Sequence, residues 1–160
     1  MAIARRLVGG LVAGGIAVFA GTSAMEDKTT RDEAGAIVES GGLGVFTVRM
    51  GDCVQLPTEN LDMVASIEGV PCDTPHDAQV FAELTVAGDE FPGRDAMENT
   101  AGEQCSSRWE AALGAYDPAA NLDLTFFTPT EESWEAENDR EVTCFVVSAD
   151  GTPITGSKLL

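Results

Sequence analysis

The chain has 160 residues, a length typical of one domain, and its hydrophobic fraction of 44% is ordinary for a globular protein. Its formal net charge is −18. All 27 acidic residues follow Met25, whereas Arg5 and Arg6 precede it, so the charge beyond residue 25 is −20. This excess of carboxylates excludes sequence-independent nucleic-acid binding, which needs cationic contacts to phosphate, and disfavours adhesion of the domain to anionic lipid. It is compatible with a basic protein partner, or with solubility alone.

Residues 1–25 predict a membrane anchor or a signal peptide. Arg5 and Arg6 are followed by nineteen uncharged residues, 7–25. As a helix they span roughly 28 Å, close to the bilayer's hydrocarbon thickness of about 30 Å. The positive flank keeps the N-terminus in the cytoplasm and exports the rest of the chain.

Two interpretations of this segment stay open. Small residues at helical spacing are typical of transmembrane helices that pack closely, and such a ridge is formed by Gly10, Gly14, Ala17 and Gly21. It favours an uncleaved anchor, which we expect, with a single span in the cell membrane and an extracytoplasmic domain. The alternative is a cleaved signal peptide with an apolar core over 7–20 and small residues at 22–24, which would give a secreted protein.

The next segment, residues 26–44, is rich in acidic residues, threonine and glycine and has few large apolar side chains. We therefore predict an acidic flexible linker there. The folded domain is then expected over residues 45–160.

The domain's hydrophobic pattern predicts an α+β fold. Met97, Ala101, Cys105, Trp109 and Ala112 recur at three- and four-residue spacing, in a helix that opens at 92–95 and runs to about Leu113. Strands are predicted at 45–49, 53–56, 63–68, 78–86, 122–127 and 142–147, with a short turn or helix from 130 and an extended edge over 152–160. This order predicts an antiparallel sheet with one main helix on a face.

Four cysteines in an exported domain predict two disulfides. Four cysteines allow three connectivities. We predict Cys53–Cys72, which closes a short loop between adjacent strands, and Cys105–Cys144, which joins the helix to the sheet. The rival is a structural zinc site, but the spacings of 19, 33 and 39 residues lack the close cysteine pairs that such sites use, and the chain has one histidine. No metal or cofactor is predicted.

Several short motifs, taken in order, resemble the actinobacterial septum-formation domain family. They are Gly51-Asp52-Cys53, the block 70–81 with Pro75-His76-Asp77, Cys105, Ser133-Trp134, Asp139-Arg140 ahead of Cys144, and the closing 155–159. The resemblance covers residues 45–160. It implies an exported or membrane-anchored protein with a cell-envelope role near division or wall assembly, and it implies no reaction.

His76 and Asp77 have the composition of a general base and its orienting carboxylate. Adjacent residues of an extended chain point to opposite faces, however, so the two side chains need not meet. No serine lies in a nucleophile pattern, and every cysteine is assigned to a disulfide. We therefore predict that Pro75, His76 and Asp77 form a structural turn, and we predict no catalytic residue.

These observations predict a non-enzymatic accessory or scaffold subunit of a larger cell-envelope complex, either division and wall machinery or a respiratory assembly. The N-terminal helix would contact membrane proteins of that complex, and the acidic domain would meet a basic extracytoplasmic surface. One alternative is a secreted domain that binds a wall polymer or a small ligand. The other is an envelope hydrolase that uses His76.

Overall fold

A computed structural model of the protein describes residues 26–58 and 64–160. The predicted anchor or signal peptide over 1–25, with its ridge of Gly10, Gly14, Ala17 and Gly21, lies outside them. Within the described ranges, no helix has the length and hydropathy needed to cross a membrane.

The described chain has an α+β fold, as predicted. In order, its elements are β1 (Thr30–Arg31), β2 (Ile37–Glu39), β3 (Gly41–Gly44), β4 (Cys53–Gln55), β5 (Ser66–Val70), β6 (Ala78–Thr85), α1 (Arg94–Leu113), β7 (Leu122–Phe127), α2 (Glu131–Ala136) and β8 (Glu141–Ser148). Strands β3 to β8 form one antiparallel sheet in the order β3-β5-β4-β6-β8-β7, and β1 pairs with β2 separately.

The sheet separates two clusters of buried side chains. The cluster beneath α1, which we call the helix-side core, includes Phe81, Leu84, Met97, Trp109, Trp134, Val142 and Cys144. The cluster on the other face, which we call the opposite core, includes Ile37, Leu43, Val48, Val54, Ile67, Val80 and Phe145. Strands β6, β7 and β8 contribute residues to both clusters, whereas β3, β4 and β5 contribute only to the opposite core.

Helix α1 matches its prediction closely. Gly93, at φ 92°, precedes it, and Asp95 lies in the first turn, where a carboxylate complements the helix dipole. The predicted inward residues Met97, Ala101, Cys105 and Trp109 are buried. The helix ends at Gly114, whose φ of 85° suits glycine and whose N–H donates to the Glu110 carbonyl at 3.0 Å.

The predicted flexible linker over 26–44 is corrected by the structure, which places β1, β2 and β3 there. Strand β3 pairs with β5 in the register Gly41↔Gly69 to Gly44↔Ser66. Its Leu43 is fully buried in the opposite core together with Ile37. Two buried apolar side chains and a strand partner hold this glycine-rich segment, so the folded domain begins before residue 45.

Two further predictions need correction. Val45–Thr47 forms a short 3-10 helix instead of a strand, and the Thr47 hydroxyl donates to the Gly44 carbonyl at 2.9 Å. The expected extended edge over 152–160 has, in the described part of the chain, only an isolated bridge between His76 and Ile154. The rest of this segment needs no strand pairing because the Gln79 side chain hydrogen-bonds Ser157 and Lys158.

Candidate functional site

Both predicted disulfides are present. Cys53 in β4 is bonded to Cys72 just after β5, with Cα atoms 5.2 Å apart. Cys105 in α1 is bonded to Cys144 in β8, with Cα atoms 5.6 Å apart. The first disulfide holds neighbouring strands, and the second fixes the helix to the sheet.

The motifs that carry the family resemblance converge around the first disulfide. Gly51-Asp52-Cys53 leads into β4, the 70–81 block leads into β6, and the closing segment 155–159 is hydrogen-bonded to the 70–81 block. We call this meeting point the motif junction. The Cys72 carbonyl accepts from Gly156 N–H at 2.7 Å, which joins the closing segment directly to the disulfide loop.

Gln79 is the centre of the motif junction and is 1% exposed. Its amide nitrogen donates to the Gly51 carbonyl at 3.1 Å and to the Ser157 hydroxyl at 3.0 Å. Its amide oxygen accepts from Lys158 N–H at 2.7 Å. One buried side chain of the 70–81 block thus satisfies polar groups of the two other converging segments, and buried polar groups require such partners.

Asp52 extends the motif junction toward the N-terminal strands. It is 4% exposed. Both of its oxygens accept from the Arg31 guanidinium, at 2.6 and 2.9 Å, and one also accepts from Arg49 N–H at 2.8 Å. A paired geometry of this kind is the strong form of a charged hydrogen bond.

Arg31 also donates to Asp27, at 2.6 Å, and to the Gly35 carbonyl. The hydrogen bond to Asp52 raises the pKa of Arg31 although burial opposes it. Burial likewise opposes ionisation of Asp27, but hydrogen bonds from Thr29 and Arg31 outweigh it and lower the Asp27 pKa. The Arg31–Asp52 ion pair therefore ties β1 to the start of β4.

His76 is fully buried, at 0% exposure. Its Nδ1 lies 2.8 Å from the Thr74 carbonyl, which can only accept, so Nδ1 carries a proton. Its main chain exchanges hydrogen bonds with Ile154, at 2.9 and 2.8 Å. No side chain or main-chain group in the described ranges hydrogen-bonds Nε2. The ring thus braces the 74–76 turn. It is shielded from the surface, whereas a general base must lie within hydrogen-bond reach of a substrate.

Asp77 has different partners from its neighbour. Its carboxylate accepts from Leu56 N–H at 3.0 Å, and its own N–H donates to the Val54 carbonyl. The Pro75 carbonyl accepts from the Gln55 side chain at 3.0 Å. The predicted turn residues Pro75, His76 and Asp77 therefore hold β4 and the closing segment, and the structure does not bring His76 and Asp77 together as a catalytic pair.

The second motif, around Trp134 and Arg140, forms a separate cluster near the start of β8. The Arg140 guanidinium lies 3.6 Å from the Trp134 ring centre and donates to the Trp134 carbonyl at 2.9 Å. The Ser133 hydroxyl donates to the Asp139 carboxylate at 2.9 Å. Trp134 is itself buried, so this motif positions α2 against the helix-side core.

Metal binding has no constellation to support it in the part of the chain that the structure describes. No three His, Cys, Asp or Glu side chains converge there as ligands. The four cysteines of the rival zinc interpretation are all used in disulfides.

Sequence reasoning missed two central residues of the motif junction, Gln79 and Arg31. Gln79 occupies a position that strict alternation predicts to face outward. The only sequence feature that could have indicated its role is its place in the 70–81 block. Arg31 falls in the predicted linker, and no local pattern connects it with Asp52.

The fold and the motif junction define a disulfide-bonded α+β domain whose motif residues hold its parts together. Residues 50–158 match the family model described as septum formation, and the chain belongs to this family. The family relates the chain to cell division. Neither a search of curated proteins nor a search of solved structures gave a match.

Proposed function

We propose that the protein is a non-enzymatic accessory or scaffold subunit of a cell-envelope complex that acts in septum formation. The observation that carries this proposal is the use of the motif residues. His76, Asp52 and Gln79 are buried and engaged with other parts of the chain. Side chains spent on internal contacts favour a rigid interaction module over a catalytic cleft.

The two disulfides support an extracytoplasmic location for the domain, because disulfides persist in oxidising compartments. The arginine pair ahead of the apolar segment 7–25 supports the same orientation. In this proposal the N-terminal helix holds the domain at the outer face of the membrane, and its small-residue ridge contacts other membrane helices.

The charge of the domain supports a basic partner. A net charge of −20 beyond residue 25 repels other acidic proteins and attracts a cationic surface, with a strength that falls as salt rises. Division and wall machinery is the assembly that the family favours.

Intact mass and co-purifying proteins, from one mild-detergent extract of native membranes, test this proposal. We expect the full-length mass less the four hydrogens of two disulfides, with a reproducible set of partners. A mass lacking about 24 residues, in the soluble fraction and without partners, would instead indicate a secreted domain. Free monomer at both low and high salt would contradict the scaffold role.

A matched pair of variants separates the contact made by the N-terminal helix in the membrane from the contact made by the acidic domain. The change Gly10→Leu with Gly14→Leu fills the ridge, so we expect the protein to stay in the membrane but lose partners. The change Gly9→Leu with Gly15→Leu adds the same bulk away from the ridge. Equal partner sets for the two variants would show that the ridge is not a contact.

A further inference from the structure

One side of β6 has no strand partner along half of its length. Strand β4 pairs with β6 only at Ala78 and Gln79. The chain then turns away at Gly51, where φ is 95°, and the last main-chain bonds between the two segments join Val80 to Gly51 and Asp52 at 2.9 Å. From Ala82 to Thr85, β6 is paired with β8 alone.

The phase of the β6–β8 ladder shows which main-chain groups are open. Val86 N–H donates to the Arg140 carbonyl at 2.8 Å, so the pair 86↔140 is hydrogen-bonded, and in an antiparallel ladder Leu84↔Val142 is too. The N–H and C=O groups of Glu83 and Thr85 therefore point away from β8. Over residues 26–58 and 64–160, no group bonds them. We call Glu83–Thr85 the open edge.

The two sides of the open edge differ in chemistry. On the helix side lies a groove of about 470 Å³. Its lining is mainly apolar, with Met50, Leu84, Ala111, Leu159 and Leu160, and it also includes Arg108 and the edge residue Glu83. Met50 is 64% exposed and Leu160 is 89% exposed. Apolar side chains left open beside an unpaired strand favour a protein contact.

On the other side lies a groove of about 420 Å³ in which three acidic residues and one cation, Arg140, are joined by Phe46, Thr85 and Asn138; the acidic residues are Glu137, Asp139 and Glu141. Glu83 also points to this side, because it alternates with the buried Leu84. Burial, and then the charges of Glu83 and Asp139, raises the pKa of Glu141. The carboxylates repel one another, and a cation between them would relieve that repulsion.

The outer edges of β7 and β3 each have one engaged main-chain group. At β7, the outward Leu124 N–H is taken by the Asp123 carboxylate at 2.8 Å, and a charge on an edge deters pairing. At β3, the Gly42 carbonyl accepts from Lys28 N–H at 2.8 Å. The open edge of β6 thus combines free main-chain groups with apolar and acidic flanks.

We infer that the open edge binds an extended segment of a partner protein in which apolar and basic residues alternate. The segment would bond the main chain of Glu83 and Thr85, place its apolar side chains in the helix-side groove, and place lysine or arginine beside Glu83 and Glu141. A second copy of this acidic chain would bring further carboxylates there, so a different, basic protein fits better. This inference rests on the proposed function, since it names the contact of an interaction module.

Fluorescence anisotropy of the full-length protein in mild detergent, with a labelled heptapeptide of alternating lysine and valine, tests the inference. Two matched peptides have the same order of side chains or the same residues: one alternates in the same way but carries N-methyl groups on its lysine and valine main-chain nitrogens, and one groups the lysines ahead of the valines. We expect the alternating peptide to bind about tenfold more tightly than either, since each control loses main-chain bonds or side-chain register.

Two changes at one position separate the main chain from the charge. Glu83→Pro removes an outward N–H without touching the ladder to β8, so we expect the advantage of the alternating peptide to disappear. Glu83→Ala keeps the N–H and should retain most of that advantage while binding all lysine peptides more weakly. Thermal unfolding of both variants checks that they fold, and if Glu83→Pro does not, the N-methylated peptide decides.

Equal affinity for the three peptides would mean unspecific charge attraction and would overturn the inference, as would an absence of binding. Loss of a homodimer in Glu83→Pro would assign the edge to a second copy instead. In native membranes, a Glu83→Pro protein that keeps all partners removes this contact but leaves the scaffold role standing. A wild-type protein without partners removes the scaffold role whatever the peptides show.

Discussion

The helix-side core and the opposite core stabilise the same sheet by different means. The helix-side core is built from long elements: α1, β7 and β8 bring large apolar side chains together, and Cys105–Cys144 joins them. The opposite core is covered by short strands and a glycine-rich segment, which depend on the Arg31–Asp52 pair and the motif junction. The elements of the helix-side core are predictable from local sequence patterns, whereas those of the opposite core are defined only by their contacts with other segments.

Deleting residues 26–44 should have the largest effect. It removes buried Ile37 and Leu43 and leaves Asp52 buried without its cation, so we expect stability to fall by at least about 5 kcal/mol. Urea unfolding followed by circular dichroism measures the loss. Deletion of residues 2–25 keeps every described contact and serves as the control. An unchanged urea midpoint without residues 26–44 would restore the linker interpretation.

The two disulfides should contribute unequally to the free energy of unfolding, with the larger contribution from the one in the helix-side core. Cys105→Ala with Cys144→Ala should cost about 4 kcal/mol, and Cys53→Ala with Cys72→Ala about 3 kcal/mol, because the loops span 39 and 19 residues. Urea unfolding of each double variant gives the order. A greater loss of stability in the Cys53/Cys72 variant would show that the disulfide of the motif junction contributes more than the one that joins the helix to the sheet.

The sequence predicts the helix-side elements well because their signals are local. The spacing of Met97 to Trp109 determines α1, and the bounds of β7 agree with the predicted 122–127. Strand β6 departs from simple alternation at a bulge between Val80 and Ala82, which explains why both Phe81 and Ala82 are buried.

The opposite core and most of the motif junction could not be predicted from local sequence signals. Strand β3 consists of three glycines and one leucine, a composition that favours a loop until β5 supplies hydrogen bonds. Arg31 and Asp52 meet across 21 residues, and nothing near either residue marks the other. The disulfides were predictable because cysteine number and spacing limit the choices strongly.

Alanine substitutions at two glycines test the same contrast between the two cores, with smaller expected effects on stability. A Cβ at Gly69 would lie 2.6 Å from Leu43 Cδ1 and 2.8 Å from Ile37 Cδ1, so Gly69→Ala should cost about 1–3 kcal/mol through overpacking. A Cβ at Gly102 in α1 would lie 3.8 Å from Phe126, and Gly102→Ala should add up to about 1 kcal/mol of helix stability. Thermal unfolding that ranks the two alanines in reverse would contradict the packing described here.

Glu141→Gln should have the smallest effect and the clearest pH dependence. The pKa of Glu141 is raised by burial and by Glu83 and Asp139, so its carboxylate is costlier in the folded state than in the unfolded one. The variant should therefore be more stable at pH 7, by about 0.5 kcal/mol or less because solvent screens a partly exposed group. The gain should vanish as pH falls below the ordinary value of 4.5, where wild type is protonated in both states.

Glu135→Gln removes the same charge from an exposed position of α2 and controls for net charge. Urea unfolding of both variants from pH 4 to 8 makes the comparison. Parallel curves for the two variants would mean that the surroundings of Glu141 destabilise its carboxylate no more than the overall negative charge does.

The order of the disulfides along the chain has a consequence for oxidative folding. Because Cys53 pairs with Cys72 and Cys105 with Cys144, each bond joins consecutive cysteines, and neither loop encloses or crosses the other. Of the three pairings that four cysteines allow, this is the one made when each thiol reacts with the next to emerge. Under the extracytoplasmic location that we propose, oxidation during export would thus reach the native connectivity without reshuffling, and the protein should mature without a disulfide isomerase.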